Sequence, residues 1–468
     1  MILLNARLGD RLVDIRVDGG HITEIGPGLG AGVDLAGRWV SPGLWDEHVH
    51  FTQWALSSQR VDLSQALSAR EAADVMGRAA SSGVGMLVGG GFRDALWPDA
   101  PTVELLDAAT GGLPTVLVSG DLHSVWLNSA ALSRFGHAGH PTGLLREDDA
   151  FDVEKQLGTM PDELIDSWAL AAATAAARRG VVGIVDLEMA WNLEAWQRRV
   201  AAGHDALRVE FGVYTQHLDR AIAEGLRTGQ RFGELLTMGR FKVLSDGSLN
   251  TRTAHTLDAY VDGSHGQFTV PFDVLLPLMR AASNAGIEPS IHAIGDRANT
   301  LVLDAFEQLA SGGRIEHAQL LADTDVPRFA RLGVTASVQP EHAMDDREVA
   351  DAYWSGRTAR MYPFRTLLDA GATLAFGSDA PVTPLDPWLG IAAAVTRSRD
   401  GQPSWHPEQR ISNNEALAAA SRTTVAVGQP GDLVVTDLDP LTTTGDDLRR
   451  MPVAATLLGG RFTHNTLE

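Results

Sequence analysis

The sequence predicts an α/β protein built on a (β/α)8 TIM barrel. Three observations predict it. Eight short apolar segments with strand character recur along the chain. Helical stretches lie between the later ones, and chemically capable side chains fall at the C-terminal ends of the strand-like segments. The rival architecture, an open doubly wound sheet, calls for a Gly-rich phosphate turn of the dinucleotide-binding kind, and the sequence offers none.

The elements follow in order. Residues 1 to about 40 read as short strands, 2–6, 12–17 and 21–25, punctuated by Gly and Asp. The first barrel strand runs out at Asp46-Glu47-His48-Val49-His50. The rhythm then breaks, and residues 51 to about 160 read as an insertion. Within it, Ser68 and Glu71 have capping-box spacing for a helix to about residue 81, and strands are expected at 84–88 and 115–119. Residues 121–129, polar and aromatic together, suit either a ligand-facing loop or a surface turn before a helix.

A regular alternation follows. A helix over about 161–179 should end at Gly180, a good residue just past a helix end. Strands are expected at 183–186, 207–214, 241–245, 289–292, 314–317, 335–339 and 373–377. A helix over 297–309 has Asp296 as its expected N-cap. Ser412 and Glu415 give a second capping box, and 431–437 and 454–458 return to β character. The expected division is a small β-sandwich from 1–40 plus 425–468, and a barrel over 41–424 that carries 51–160 as an inserted subdomain.

Composition narrows the function. A net charge of −21 argues against a nucleic-acid partner, which would want a basic surface. There are 0 cysteines, so disulfides, thiolate ligands and cysteine nucleophiles drop out together, and any metal must sit on His, carboxylate or modified Lys. The N-terminal residues 1–8 turn polar too soon for a signal peptide, and no apolar run reaches the ~18 residues of a membrane span. A cytoplasmic protein acting on a small molecule, with no membrane or nucleic-acid partner, is the expectation; a homodimer stays open.

Side chains alternate along a strand, so His48 and His50 face the same way and can reach one ion. Imidazole suits zinc, iron, nickel or copper alike. Two such histidines make a weak signal until the other strand ends are added. Lys242 lies on the fourth strand, His292 ends the fifth, His317 ends the sixth and Asp379 follows the eighth. In a barrel all of these meet at one rim. His123, Trp126, Arg252, Arg297 and Gln339 are candidates for orienting a polar group of the substrate.

These motifs carry a resemblance. Pro42-Gly43 with Asp46-x-His48-x-His50, Lys242-x-x-x-Asp246-Gly247-Ser248, His292-Ala-Ile-Gly-Asp-Arg297, Arg314-Ile-Glu-His-Ala-Gln319 and Gly377-Ser-Asp-Ala-Pro381 resemble the amidohydrolase superfamily of metal-dependent hydrolases. The likeness is greatest to the branch, amidohydrolase family 3, that includes the N-substituted formamide deformylases. It implies that His48, His50 and Asp379 hold one divalent metal, expected to be zinc, and His292 and His317 a second. Lys242, carboxylated by carbon dioxide, would bridge them; an unmodified Lys242 beside a single metal is the alternative. The implied reaction is cleavage of an amide or N-formyl C–N bond by hydroxide formed on the metal, with Asp379 as general base and then acid. Deamination of a cyclic amidine, or a noncatalytic binding relative, are the other readings.

Overall fold

The computed structural model describes residues 1–58, 60–80, 85–157 and 161–467. Its centre is a run of eight parallel strands, hydrogen-bonded in chain order. They are β1 (Leu44–Val49), β2 (Val181–Asp186), β3 (Arg208–Tyr214), β4 (Leu236–Leu244), β5 (Pro289–Ala293), β6 (Gly313–His317), β7 (Val334–Val338) and β8 (Leu374–Phe376). These are the TIM-barrel strands expected from the sequence, each in or beside its expected place. Most are buried throughout and rich in Val, Ile and Leu, as strands covered on both faces must be.

Closure comes at the chemically important end. Past β8 the chain lays Asp379 N–H on the carbonyl of His48 (2.7 Å), and His50 N–H on that of Ala380 (2.8 Å). Gly377 makes this approach feasible, since a Cβ there would stand 2.6 Å from the backbone nitrogen of His48. Deeper in, a buried ion-pair network joins four strands: Glu47 (β1) takes Arg314 (β6) at 2.8 Å and Arg422 at 2.5 Å, while Glu210 (β3) takes Arg422 and Arg240 (β4) at 2.7 Å each.

The terminal strands form one eight-stranded sheet in which 433–436, 453–458 and 461–465 join the strands of residues 2–42. One apolar cluster serves it, with Leu3, Ile15, Ile22, Val40, Leu433 and Leu457 inside. The small β domain expected from both termini is present, its hydrogen bonding continuous through the sheet and irregular between Leu3 and Ala6. Gly180 ties it to the barrel: at φ +86° it ends the helix Asp162–Ala177, and a Cβ there would meet Val434 at 2.8 Å.

The chain between β1 and β2 builds a separate five-stranded sheet with an apolar cluster of its own on each of two sides. The helix expected to reach residue 81 is Ala69–Ala80; Ser81 lies outside the described residues, as does Val84 at the start of the strand expected over 84–88, which is found at Leu87–Phe92. Thr115–Ser119 is a strand as expected. Two local expectations need correction. Asp296 is the first residue of its helix, and Gly295 occupies the N-cap; the Asp296 carboxylate instead accepts from Leu257 N–H at 2.8 Å. Ser124–Leu127 is a buried strand, where the sequence suggested a ligand-facing loop or a surface turn. Among the described residues no helix is long and apolar enough to cross a membrane.

Candidate active site

A cavity of about 670 Å³ opens where the C-terminal ends of the barrel strands meet the inserted sheet. Its floor is made by His48, His50, Lys242, His292, His317 and Asp379. Each is placed by the fold, not by a flexible loop. His48 and Lys242 lie within β1 and β4, His292 and His317 within β5 and β6, and His50 and Asp379 one and three residues beyond β1 and β8. Asp379 and His317 hold their side chains inward with φ of +56° and +73°, left-handed values that ordinary side chains adopt only when their surroundings enforce them.

The distances are short. Asp379 Oδ1 stands 3.3 Å from His50 Nε2 and 3.4 Å from His48 Nε2, and His48 Nε2 is 3.4 Å from Lys242 Nζ. The His292 and His317 rings lie 4.5 Å apart. Donor atoms of His48, His317 and Asp379 all fall within 4.8 Å of one another, close enough to share one ion.

A ring of buried partners aims these groups. Glu316 Oε2 takes Nδ1 of His48 at 2.8 Å, which leaves Nε2 as the free lone pair. Glu316 Oε1 in turn accepts from Ser290 Oγ. Asp246 accepts the backbone N–H groups of Ile294 and Gly295, and sits 3.3 Å from His292 Nε2. Asp46 accepts from the N–H groups of His48 and Ser378, strapping β1 to the end of β8; burial pushes its carboxyl up to about 7.

Burial sets the charge states. It lowers Lys242 to about 8, against the pull of Glu316 and Asp379. It also lowers His48, to about 4, and with His292 alongside it holds His317 well below the usual imidazole value. Both rings are therefore neutral at pH 7, the form that donates a lone pair to a metal. For Asp379 burial works the other way, but the hydrogen bond from His50, whose own pKa is raised beside it, outweighs burial and keeps the group a carboxylate.

The five candidate substrate contacts separate. His123 lines the cavity, its Nδ1 on Glu147 at 2.9 Å; burial opposes its charge, yet Glu147 raises it to about 9. Gln339 is buried behind the floor, with Nε2 3.3 Å from His48 Nδ1, so it touches a floor residue and not the open space. Trp126 is a correction: it lies in the insertion's own core, its indole N–H on the Thr102 carbonyl. Arg252 and Arg297 are corrections too, since neither lines the cavity. Arg252 is half-buried, with its guanidinium over the Tyr353 ring and beside Asp262, and Arg297 is exposed.

Other residues at the site escaped the sequence reading. His342 lines the cavity, stacks on His317 at 6.0 Å, and brings Nε2 to 4.0 Å from Asp379 Oδ2. It follows β7 in Gln339-Pro340-Glu341-His342, so its place after a strand end was the available signal. Glu188, beyond β2, faces the same space and accepts from the backbone and side-chain amides of Gln53.

The comparisons with known proteins agree with this geometry. Residues 31–464 match the model of the amidohydrolase family. The chain belongs to that family. Relatives match over most of its length. The protein LONG AFTER FAR-RED 3 of Arabidopsis thaliana is 31% identical over 83% of this chain and 74% of its own. The N-substituted formamide deformylase of Arthrobacter pascens is 25% identical over 98% of this chain and 97% of its own. Among solved structures, an uncharacterized metal-dependent hydrolase from Pyrococcus horikoshii superposes with a TM-score of 0.79 at 26% identity, covering 95% of this chain and 98% of that one. Family membership makes the protein a hydrolase by class.

Proposed function

We propose that the protein is a metal-dependent amidohydrolase that cleaves an amide or N-formyl C–N bond of a small molecule. The observation that carries this reading is the gathering of His48, His317 and Asp379 within 4.8 Å at the floor of a cavity, with Lys242, His50 and His292 around them. The donors fit a divalent cation. Nδ1 of His50 and of His317 is buried without a hydrogen-bond partner, and Glu316 fixes the His48 tautomer. Nitrogen and oxygen donors without thiolate suit zinc and its neighbours in the first transition series.

His48, His50 and Asp379 would hold one ion, and His292 and His317 a second. Lys242, carboxylated, would join the two; its lowered pKa supports this, because only the neutral amine reacts with carbon dioxide. A bound divalent cation supplies Lewis acidity, polarising the scissile carbonyl and lowering the pKa of water to about 7. The remaining work belongs to the chain. Asp379 takes the proton of the attacking water on its carboxylate and returns it to the leaving nitrogen. His342 and His123, both on the cavity, would hold the substrate carbonyl and its substituent. The relative named as an N-substituted formamide deformylase supports a formyl or small acyl group.

The test is Asp379→Asn in protein assayed for bound metal and for hydrolysis of N-formyl and N-acetyl amines. Turnover should fall by roughly 10²–10⁴, the worth of a positioned general base, while at least one cation per chain is kept. Near-normal turnover in that variant refutes the role.

A further inference from the structure

The upper wall of the cavity holds two charged groups that the reaction does not use. Glu154 lies on the insertion helix Asp148–Leu157, three residues after Phe151, so both present the same face to the cavity. Ala150, Val153 and Leu157 anchor the opposite face in the insertion core. Both carboxylate oxygens of Glu154 are buried with no hydrogen-bond partner. Arg60 follows the short helix after β1, and its stem rests on Gly90 of the inserted sheet, where a Cβ would come within 3.2 Å of it. Among the described residues its guanidinium makes no hydrogen bond or ion pair. Each is the other's strongest charged neighbour, yet the two do not close into a pair.

A buried acceptor without a partner is costly, and the donor fork that lines the cavity beside it has no protein partner among the described residues to give up, so a ligand able to bond both relieves the first and engages the second. A cation would satisfy Glu154 and be repelled by Arg60. A carboxylate would do the reverse. A neutral planar group with N–H on one side and C=O on the other satisfies both. We propose that the substrate carries a distal carboxamide or ureido head, its N–H donated to Glu154 and its carbonyl oxygen accepting from Arg60. This rests on the amidohydrolase reading for the bond that is cleaved, and adds what the rest of the substrate looks like. Burial, which pushes the Glu154 carboxyl up to about 7, is relieved by such a head without adding a charge.

The test is a series of N-formyl and N-acetyl alkylamines of stepped chain length, each ending in carboxamide, carboxylate, ammonium or methyl. Metal-loaded protein should prefer carboxamide over methyl in kcat/KM by about tenfold or more at one chain length, the worth of one hydrogen bond to a charged group. Glu154→Gln and Arg60→Met should each collapse that ratio. Calorimetry with the same compounds on metal-free protein reads the head group alone and should give the same order. If compounds turn over but carboxylate or ammonium is preferred, or the heads are not distinguished, the inference is overturned and the hydrolase reading stands. If nothing turns over while the metal-free protein still ranks carboxamide first, the hydrolase reading fails and the inference survives.

Discussion

The floor and the wall of the cavity are built on opposite terms. On the floor most ionisable side chains are held by partners that have partners of their own, His48 on Glu316, Glu316 on Ser290 and Asp379 among three imidazoles, and the ring nitrogens of His50 and His317 left without one are those offered to a metal. On the wall, among the described residues, Glu154 and Arg60 have no hydrogen-bond partner for their charged ends, and His123 is held by Glu147, itself held by Thr251 and Thr253. The floor sits on or just past barrel strands, the wall largely on the insertion. The difference teaches a division of labour. On the proposed reading, groups that must keep one geometry through every turnover are fixed by the scaffold, while groups that choose the substrate are left for the substrate to complete.

The sharpest way to break the comparison is at the floor. His317→Ala should release metal, measured per chain after dialysis, and should lower kcat/KM on the order of 10³-fold, several kcal/mol of lost transition-state stabilisation. Next is Lys242. Carbon-13 bicarbonate should label the wild-type chain and not Lys242→Ala. Labelling should increase as pH rises through about 8, because the depressed pKa means that the reactive neutral amine dominates above that value.

A partner behind a floor residue should matter less than the residue itself. Glu316→Gln should weaken metal affinity by roughly 10–100-fold, read by competition with a chelator. The smallest effect belongs to the wall. In Glu147→Gln, His123 loses the carboxylate that holds its pKa near 9. With burial left to oppose the charge, the ring then sheds its proton well below 9, and the descending limb of kcat/KM should move to lower pH than the wild type, which shows it only near 9. If Glu147→Gln cost more than His317→Ala, the assignment of chemistry to the floor and recognition to the wall would be reversed.

The two regions also differ in how far the sequence revealed them. His48, His50, His292, His317 and Asp379 were legible because each closes a strand, and strand ends in a barrel converge whatever the loops do. Lys242 was legible for the same reason. Trp126 misled because a polar, aromatic stretch looks the same whether it faces a ligand or packs as a buried strand. Asp296 misled because an Asp ahead of a helix fits either the cap or the first turn, and only the path of residue 257 decides. Arg60 and Glu154 could not be paired from sequence. They are 94 positions apart, on segments whose meeting depends on how the inserted sheet docks.

The most direct measurement is anomalous diffraction at a metal edge from crystals of the metal-loaded protein. The account predicts a peak bonded jointly by His48 and Asp379, with His317 within reach of the same centre. Crystals loaded with metal that show no peak there, or that place these side chains on separate ions far from the cavity, would contradict it.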